Sequence, residues 1–411
     1  MTATALQQEE HLTEAIVCKW CGKSFHYLKS HISMGRCENI PESAKGLDVD
    51  EVVKMYTTAF PDEPTISRTA LAKLNEKRAE KHSGEGKVAE ISAHPGYAGT
   101  VEYKTELVAA HELLGVTIKE LGTPRGKPLQ VTVNVNTPYP EFVPEAKKNY
   151  VYGDFDLIKD IFMMLEIGIP GYLWGHAGTG KSSLPTQLCA LLNRPLIRAQ
   201  HTASMEETHV TGQILARDGS TYFEPGLLAL AMKNGWVYLA DEYDFAFPQI
   251  LGVYQPVLEG EPLIIKEATP DWRRITPHKR FAFIGTGNTN GSGDETGLYQ
   301  GTNIQNAANF SRFGIVSNVK YMSTKAEVNM LAEAGVIREY AEKMVKFANL
   351  VREGYEQHLI SQPIGPRELL LSAKIGMMRG DFSAGIEKSF INKLPSTSAQ
   401  AAREVVQKIF G

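Results

Sequence analysis

The chain has 411 residues, of which 43% are hydrophobic and 22% charged, and its formal net charge is −4. That length predicts two or three domains of ordinary globular composition, and there is no run of 18 apolar residues that would span a membrane. The weak acidity argues against a general nucleic-acid binder, which needs a basic face to neutralise phosphates.

The opening stretch, Met1 to Glu10, is acidic and lacks an apolar run, so it reads as no signal peptide. Four cysteines, three of them clustered, do not make a disulfide scaffold, and a cytoplasmic setting is expected. The cluster is Cys18-x-x-Cys21 followed by His26, His31 and Cys37. A pair of cysteines two apart forms one knuckle of a tetrahedral zinc site, and a histidine plus a further thiolate completes it. Cys18, Cys21, His31 and Cys37 are the expected Zn²⁺ ligands, with His26 as the substitute. Four protein ligands leave no open position, so the metal is expected to be structural. The alternative is reduced cysteines in a small core. Phe25, Leu28 and His31 recur every three residues, which predicts one helix face. Residues 1–45 carry five basic and five acidic side chains, so this zinc-finger-like module suits a protein partner at least as well as DNA.

Residues 46–145 read as a helical and mixed accessory region. Helices are expected over 47–55 and 68–81 with a break at 61–64, then a flexible join at 82–87 and an alternating strand at 131–135 to which no chemistry attaches. Over 146–322, short apolar runs (171–174, 195–198, 236–240, 281–285) alternate with helical stretches, which predicts a buried parallel sheet with helices on both faces. Within it lies Gly175-His176-Ala177-Gly178-Thr179-Gly180-Lys181-Ser182, with Ser183 opening a helix after an apolar strand. In such a loop, glycines let backbone N–H groups turn onto phosphates and the helix N-terminus adds its dipole. Lys181 then bridges the β- and γ-phosphates of ATP and the Ser182 hydroxyl ligates Mg²⁺. The alternative is a chance glycine-rich turn, which the strand and helix on either side disfavour.

About 60 residues on, Asp241 and Glu242 end an apolar strand. In that place Asp241 holds the Mg²⁺ shell and Glu242 acts as general base on the attacking water. Asn288 ends a third strand, where it either reaches the γ-phosphate or sits in a turn; the segment alone does not decide. Arg312 and Arg367 are candidate cations for the developing γ-phosphate charge, worth about 10³–10⁵ in rate in related enzymes. By themselves they read rather as surface salt-bridge partners. Cys189, on the helix after the loop, reads as core. After Ser323, a plausible N-cap, helices are expected over 326–334, 338–359, 366–378 and 399–410, punctuated by Gly335 and Gly354.

These motifs, together with Asp241-Glu-Tyr-Asp244, Val257-Leu-Glu259 and Gly293-Asp-Glu-Thr-Gly-Leu-Tyr-Gln-Gly-Thr302, resemble the AAA+ ATPases of the MoxR group, and most closely their CobS-type cobaltochelatase subunits. The resemblance covers roughly residues 145–375. It implies a P-loop AAA+ core with a C-terminal helical lid over 323–411, and a ring, expected to be a hexamer, with each site at a subunit interface. Asn288 becomes sensor 1, Arg312 the finger reaching a neighbour's nucleotide, and Arg367 sensor 2. The stretch between Gln200 and Leu228 becomes an insertion facing the ring axis or the substrate. A von Willebrand A domain protein is the implied partner. The function implied is an ATPase that remodels or activates a partner complex. Its rivals are the motor of a cobalt or magnesium chelatase and a zinc-finger-tethered DNA-processing ATPase. The N-terminal 140 residues do not match a chelatase subunit.

Overall fold

Strands joined through helices cannot close as tight hairpins, and the apolar runs of this chain accordingly pair in parallel. A computed structural model describes residues 15–33, 36–45, 48–61, 63–67, 69–70, 101–217 and 219–411. They fall in two compact units, Met1–Ser92 and Ala93–Gly411.

In the first unit, β1 (Ile16–Val17) and β2 (Ser24–Phe25) pair antiparallel around a turn in which Gly22 takes φ +71° and its N–H reaches Cys18 O. Helices α1 (Leu28–Ser33) and α2 (Val49–Ala59) follow. Ile16, Phe25, Leu28, Ile32, Val52 and Tyr56 form the core. Tyr56 is buried edge-on to Trp20, and its hydroxyl accepts from Lys19 N at 3.0 Å. Phe25 does not share a helix face with Leu28 and His31, because it ends β2; its ring instead stacks on His31 at 5.3 Å. The helix expected over 47–55 runs 49–59, whereas most of that expected over 68–81, and the join at 82–87, lie outside the described residues.

In the second unit, β3 (Thr105–Ala109) pairs antiparallel with β4 (Gln130–Asn134), the strand expected at 131–135. Helix α3 (Phe155–Ile167) was not expected from the sequence, yet it is capped by Asp154, whose side chain accepts from Asp156 N and Leu157 N. Then come β5 (Gly171–Trp174), α4 (Ser183–Leu191), β6 (Leu196–Gln200), the hairpin β7 (Gly212–Arg217) and β8 (Ser220–Pro225), α5 (Leu227–Asn234), β9 (Val237–Asp241), β10 (Ala282–Gly287) and β11 (Ile315–Asn318). Five of these make one parallel sheet in the order β11-β5-β10-β9-β6. Successive residues point to opposite faces. Leu173, Leu239 and Ile284 therefore pack with Ile158, Phe162 and Leu188, while Tyr172, Tyr238 and Phe283 pack with Ala231, Met232 and Trp236. Cys189 is fully buried in the first of these layers, as expected of a core residue.

The C-terminal helices are α6 (Thr324–Glu333), α7 (Arg338–Glu356), α8 (Pro366–Arg379), α9 (Phe382–Ser389) and α10 (Ser396–Phe410). Ser323 caps α6 by accepting from Ala326 N. Gly354 does not end α7; it lies inside, where Ile360 approaches so closely that an added Cβ would sit 3.1 Å from its Cδ1. Phe347, Val351, Ile364, Leu369, Ile386 and Phe390 build the core of this bundle. Beside them Arg352 binds the fully buried Glu327 through both guanidinium amines, at 2.9 and 2.8 Å. Among the described residues no helix is long and apolar enough to cross a membrane. Removing one partner of a buried pair leaves the other charge uncompensated, so Glu327→Ala should destabilise the helical bundle by about 3–5 kcal/mol in denaturant titration.

Candidate functional site

The sheet order sets the site. Central strand β10 runs between β5 and β9, with Gly287 beside Trp174 and Gly285 beside Ala240. The residues that follow these three strands therefore emerge side by side at the carboxyl edge, where ligands of open α/β sheets bind.

From β5 the loop 175–182 leads into α4. Gly175, Gly178 and Gly180 take φ of +145°, +79° and +104°. At Gly175 a Cβ would come within 2.4 Å of Val319 O, so only glycine fits this turn. Thr179 Oγ1 donates to His176 O at 2.9 Å, and Ser183 Oγ donates to Gly180 O at 3.3 Å. Lys181 is 9% exposed, and its ammonium donates to Gly175 O (2.7 Å), His176 O (2.9 Å) and Asn288 Oδ1 (3.1 Å). Burial pulls this ammonium down to about 8, while Asp244, Asp241 and Glu242 oppose the fall.

Asp241, at the end of β9, is buried. Its Oδ1 accepts from the hydroxyls of Ser182 and Thr286, and its Oδ2 accepts from Arg198 Nε at 2.6 Å. Burial would raise its carboxyl, but these donors outweigh burial and hold it below the ordinary value. An ionised carboxylate touching a serine hydroxyl at a helix start is a hard-oxygen donor set of the kind Mg²⁺ takes. Glu242 follows with a left-handed φ of +53°, uncommon for a glutamate, and stays exposed. Its carboxylate accepts from the Gln200 amide, and its N–H donates to Thr286 Oγ1 at 3.3 Å.

Asp244 is fully buried and shapes the turn after β10. Its Oδ2 accepts from Asn288 N (2.8 Å), Thr289 N (3.0 Å) and Thr289 Oγ1 (3.1 Å). Burial nonetheless pushes its carboxyl up. Beside it, Gly287 leaves no room for a side chain, since a Cβ would meet Tyr172 Oη at 1.8 Å. Asn288 thus sits in a turn, and from that turn its side chain accepts from Lys181.

The two arginines are placed differently. Arg367 is exposed at the start of α8, alongside the loop; a Cβ on Gly178 would lie 3.4 Å from its Cβ. Arg312 instead donates to Glu259 Oε1 at 2.7 Å and to Ala308 O. The structure brings Lys181, Ser182, Asp241, Glu242 and Asn288 together and pairs Arg312 with Glu259.

In the first unit the donor atoms of Cys18, Cys21, His31 and Cys37 all lie within 4.8 Å of one another. The Cys18–Cys37 sulfurs are 3.8 Å apart, and Cys21 Sγ is 3.3 Å from His31 Nε2. Zn–S bonds of about 2.3 Å give a tetrahedral edge of about 3.8 Å, so the donor set fits that ion. His26 stands apart, with Nδ1 3.1 Å from Ser67 Oγ.

Residues 172–302 match the AAA domain of the dynein-related subfamily. The chain is 32% identical over 249 residues to the aerobic cobaltochelatase subunit CobS of a Sinorhizobium species, covering 58% of this chain and 74% of that protein. This chain is an AAA+ ATPase of the CobS family. It is also 23% identical to an uncharacterized Staphylococcus aureus protein, over 62% of this chain and 96% of that one. Among solved structures, the Thermotoga maritima RuvB Holliday junction branch migration motor is similar at 13% identity over 65% of this chain and 72% of its own, with a TM-score of 0.38. As a member of this family the chain hydrolyses ATP, which brings ATP and Mg²⁺ with it.

Arg198, Gln200, Thr286 and Asp244 carry no expectation in the sequence. Only Asp244 left a signal there, as the last residue of the Asp241-Glu-Tyr-Asp244 motif. Replacing it tests how the site is built. Asp244→Ala strips the acceptor from three donors, each worth about 1–3 kcal/mol when orphaned in a buried place. Denaturation should show a loss of at least that size, and ATPase activity should fall because the Asn288 turn is released.

Proposed function

We propose that this CobS-family ATPase works as a ring, expected to be a hexamer, that uses ATP hydrolysis to remodel or activate a partner complex. The observation that carries the catalytic part is the convergence of Lys181, Asp241 and Asn288 at the ends of three neighbouring parallel strands. In this reading residues 175–183 hold the triphosphate, with Lys181 on its β- and γ-phosphates. Ser182 and Asp241 hold Mg²⁺, which when bound neutralises charge on those phosphates. Glu242 takes the proton of the attacking water, and Gln200 holds the Glu242 carboxylate in place. Asn288 orients the γ-phosphate, and Arg367 closes the site from α8.

Arg312 is assigned to the neighbouring subunit's nucleotide. Within the chain its guanidinium pairs with Glu259, so the finger role requires that pair to open on assembly. The partner assigned is a von Willebrand A domain protein. The first 45 residues are assigned as a structural zinc module that recruits it, followed by an accessory region to 145, the ATPase core to 322 and the lid to 411. The close S₃N cluster supports the zinc assignment. A chelatase motor is the second reading, favoured by the 32% identity to the cobaltochelatase subunit CobS.

Glu242→Gln should keep ATP binding while hydrolysis falls about 10²–10⁴-fold. Arg312→Ala should lower the assembled protein's ATPase rate by about 10³-fold or more at unchanged ATP affinity. An assembled Arg312→Ala ring with the native rate sinks the shared site. Capture of partners on Glu242→Gln with ATP separates the two readings, since a chelatase subunit supports the second. Metal analysis should find one Zn²⁺ per chain, lost in Cys37→Ser.

A further inference from the structure

The Gly293–Thr302 loop leaves the strand that carries Asn288, and one carboxylate sets its shape. Asp294 Oδ1 accepts from Thr296 N and Thr296 Oγ1, both at 2.9 Å, and its Oδ2 accepts from Tyr299 N at 2.8 Å. The loop thereby turns the Tyr299 side chain back onto the phosphate loop. Its hydroxyl oxygen accepts from Ala177 N–H at 3.1 Å, which leaves the hydroxyl proton to be donated to His176 Nδ1 at 2.9 Å. That pairing assigns the histidine proton to Nε2. A neutral ring agrees with its surroundings, since burial and then the Lys181 charge hold His176 below the ordinary histidine value.

The peptide group between His176 and Ala177 is therefore held at both ends. Its N–H goes to Tyr299, and its carbonyl takes the Lys181 ammonium at 2.9 Å. A peptide is a rigid plane, so fixing the N–H fixes the direction of the C=O. The His176 ring carries the same contact toward the helical bundle. It lies parallel to Tyr321 at 5.8 Å and edge-on to Tyr355 of α7 at 5.8 Å. Over Tyr321 stands the Arg352 guanidinium, 4.0 Å away, whose Nε donates to Ile364 O just before α8.

We propose that Tyr299 is a positioning residue for ATP turnover. Its hydroxyl orients the 176–177 peptide, and through that carbonyl it places the Lys181 ammonium for hydrolysis. The inference rests on the reading of 175–182 as the nucleotide site. Tyr299 acts through the peptide and needs no contact with ATP, so its loss bears on the rate more than on binding.

The test is steady-state ATPase, ATP affinity and thermal unfolding of the full chain. Tyr299→Phe keeps the ring and removes only the hydroxyl. One hydrogen-bonded group predicts a fall in kcat of about three- to tenfold, with ATP affinity within about twofold and the unfolding midpoint unmoved. Asp294→Ala should give the same fall, and the double variant no more, because both act through one loop. Native kcat in both single variants overturns the proposal. So does an equal loss of rate, affinity and stability, which marks Tyr299 as a general structural group. Lys181→Met separates the two levels of the claim. If it leaves ATP binding intact, the nucleotide-site reading itself fails. If it abolishes binding while Tyr299→Phe behaves as native, only the role of Tyr299 fails.

Discussion

A buried ammonium is stable only where acceptors already wait for it, and Lys181 has three: two carbonyls of its own loop and the amide oxygen of Asn288. Each comes from a different constraint. The carbonyls of Gly175 and His176 converge because glycine permits the +145° turn after β5. Asn288 arrives because β10 lies directly beside β5 and because Asp244 pins the turn that follows. Carboxylates on neighbouring strand ends then keep a group that burial would neutralise closer to its charged form. Move β10 from the middle of the sheet and the acceptor, the turn and much of the charge balance go with it.

The same edge keeps two adjacent acids in different environments. Asp241 is buried under three donors, while Glu242 adopts a left-handed backbone and remains exposed beside Gln200. An ionised, hydrogen-bonded carboxylate suits a metal. An exposed one held by a single amide suits proton transfer. Thr286 ties the pair, donating to one residue and accepting from the N–H of the next.

Much of this was legible in the sequence, for physical reasons that also mark where legibility ends. Glycine spacing and apolar strands announced 175–182, because that chemistry is local. Strand β5 lies where the apolar run placed it, and β6, β9 and β10 differ only at their ends. Arg198, Gln200 and Thr286 were silent, because their roles depend on which strands are neighbours, and short apolar runs do not encode sheet order. Tyr299 stood in a recognisable stretch without a visible task, since its partner lies more than 120 residues away. In the first unit, the spacing of Phe25, Leu28 and His31 suggested a helix face, but Phe25 closes the knuckle from a strand. The four donors of the cysteine cluster nevertheless converge: the CxxC turn supplies two, the following helix His31, and the segment beyond that helix Cys37.

The family membership says that ATP is hydrolysed, and the proposed site puts the triphosphate on residues 175–182. The most direct check is an experimental structure of the Glu242→Gln protein with Mg²⁺ and ATP. The account predicts the triphosphate within residues 175–182, Lys181 reaching the phosphates while it keeps the His176 carbonyl, Asn288 beside the γ-phosphate, and Arg312 of an adjoining subunit released from Glu259. Nucleotide bound elsewhere, or Lys181 out of reach of the phosphates with ATP present, would contradict it.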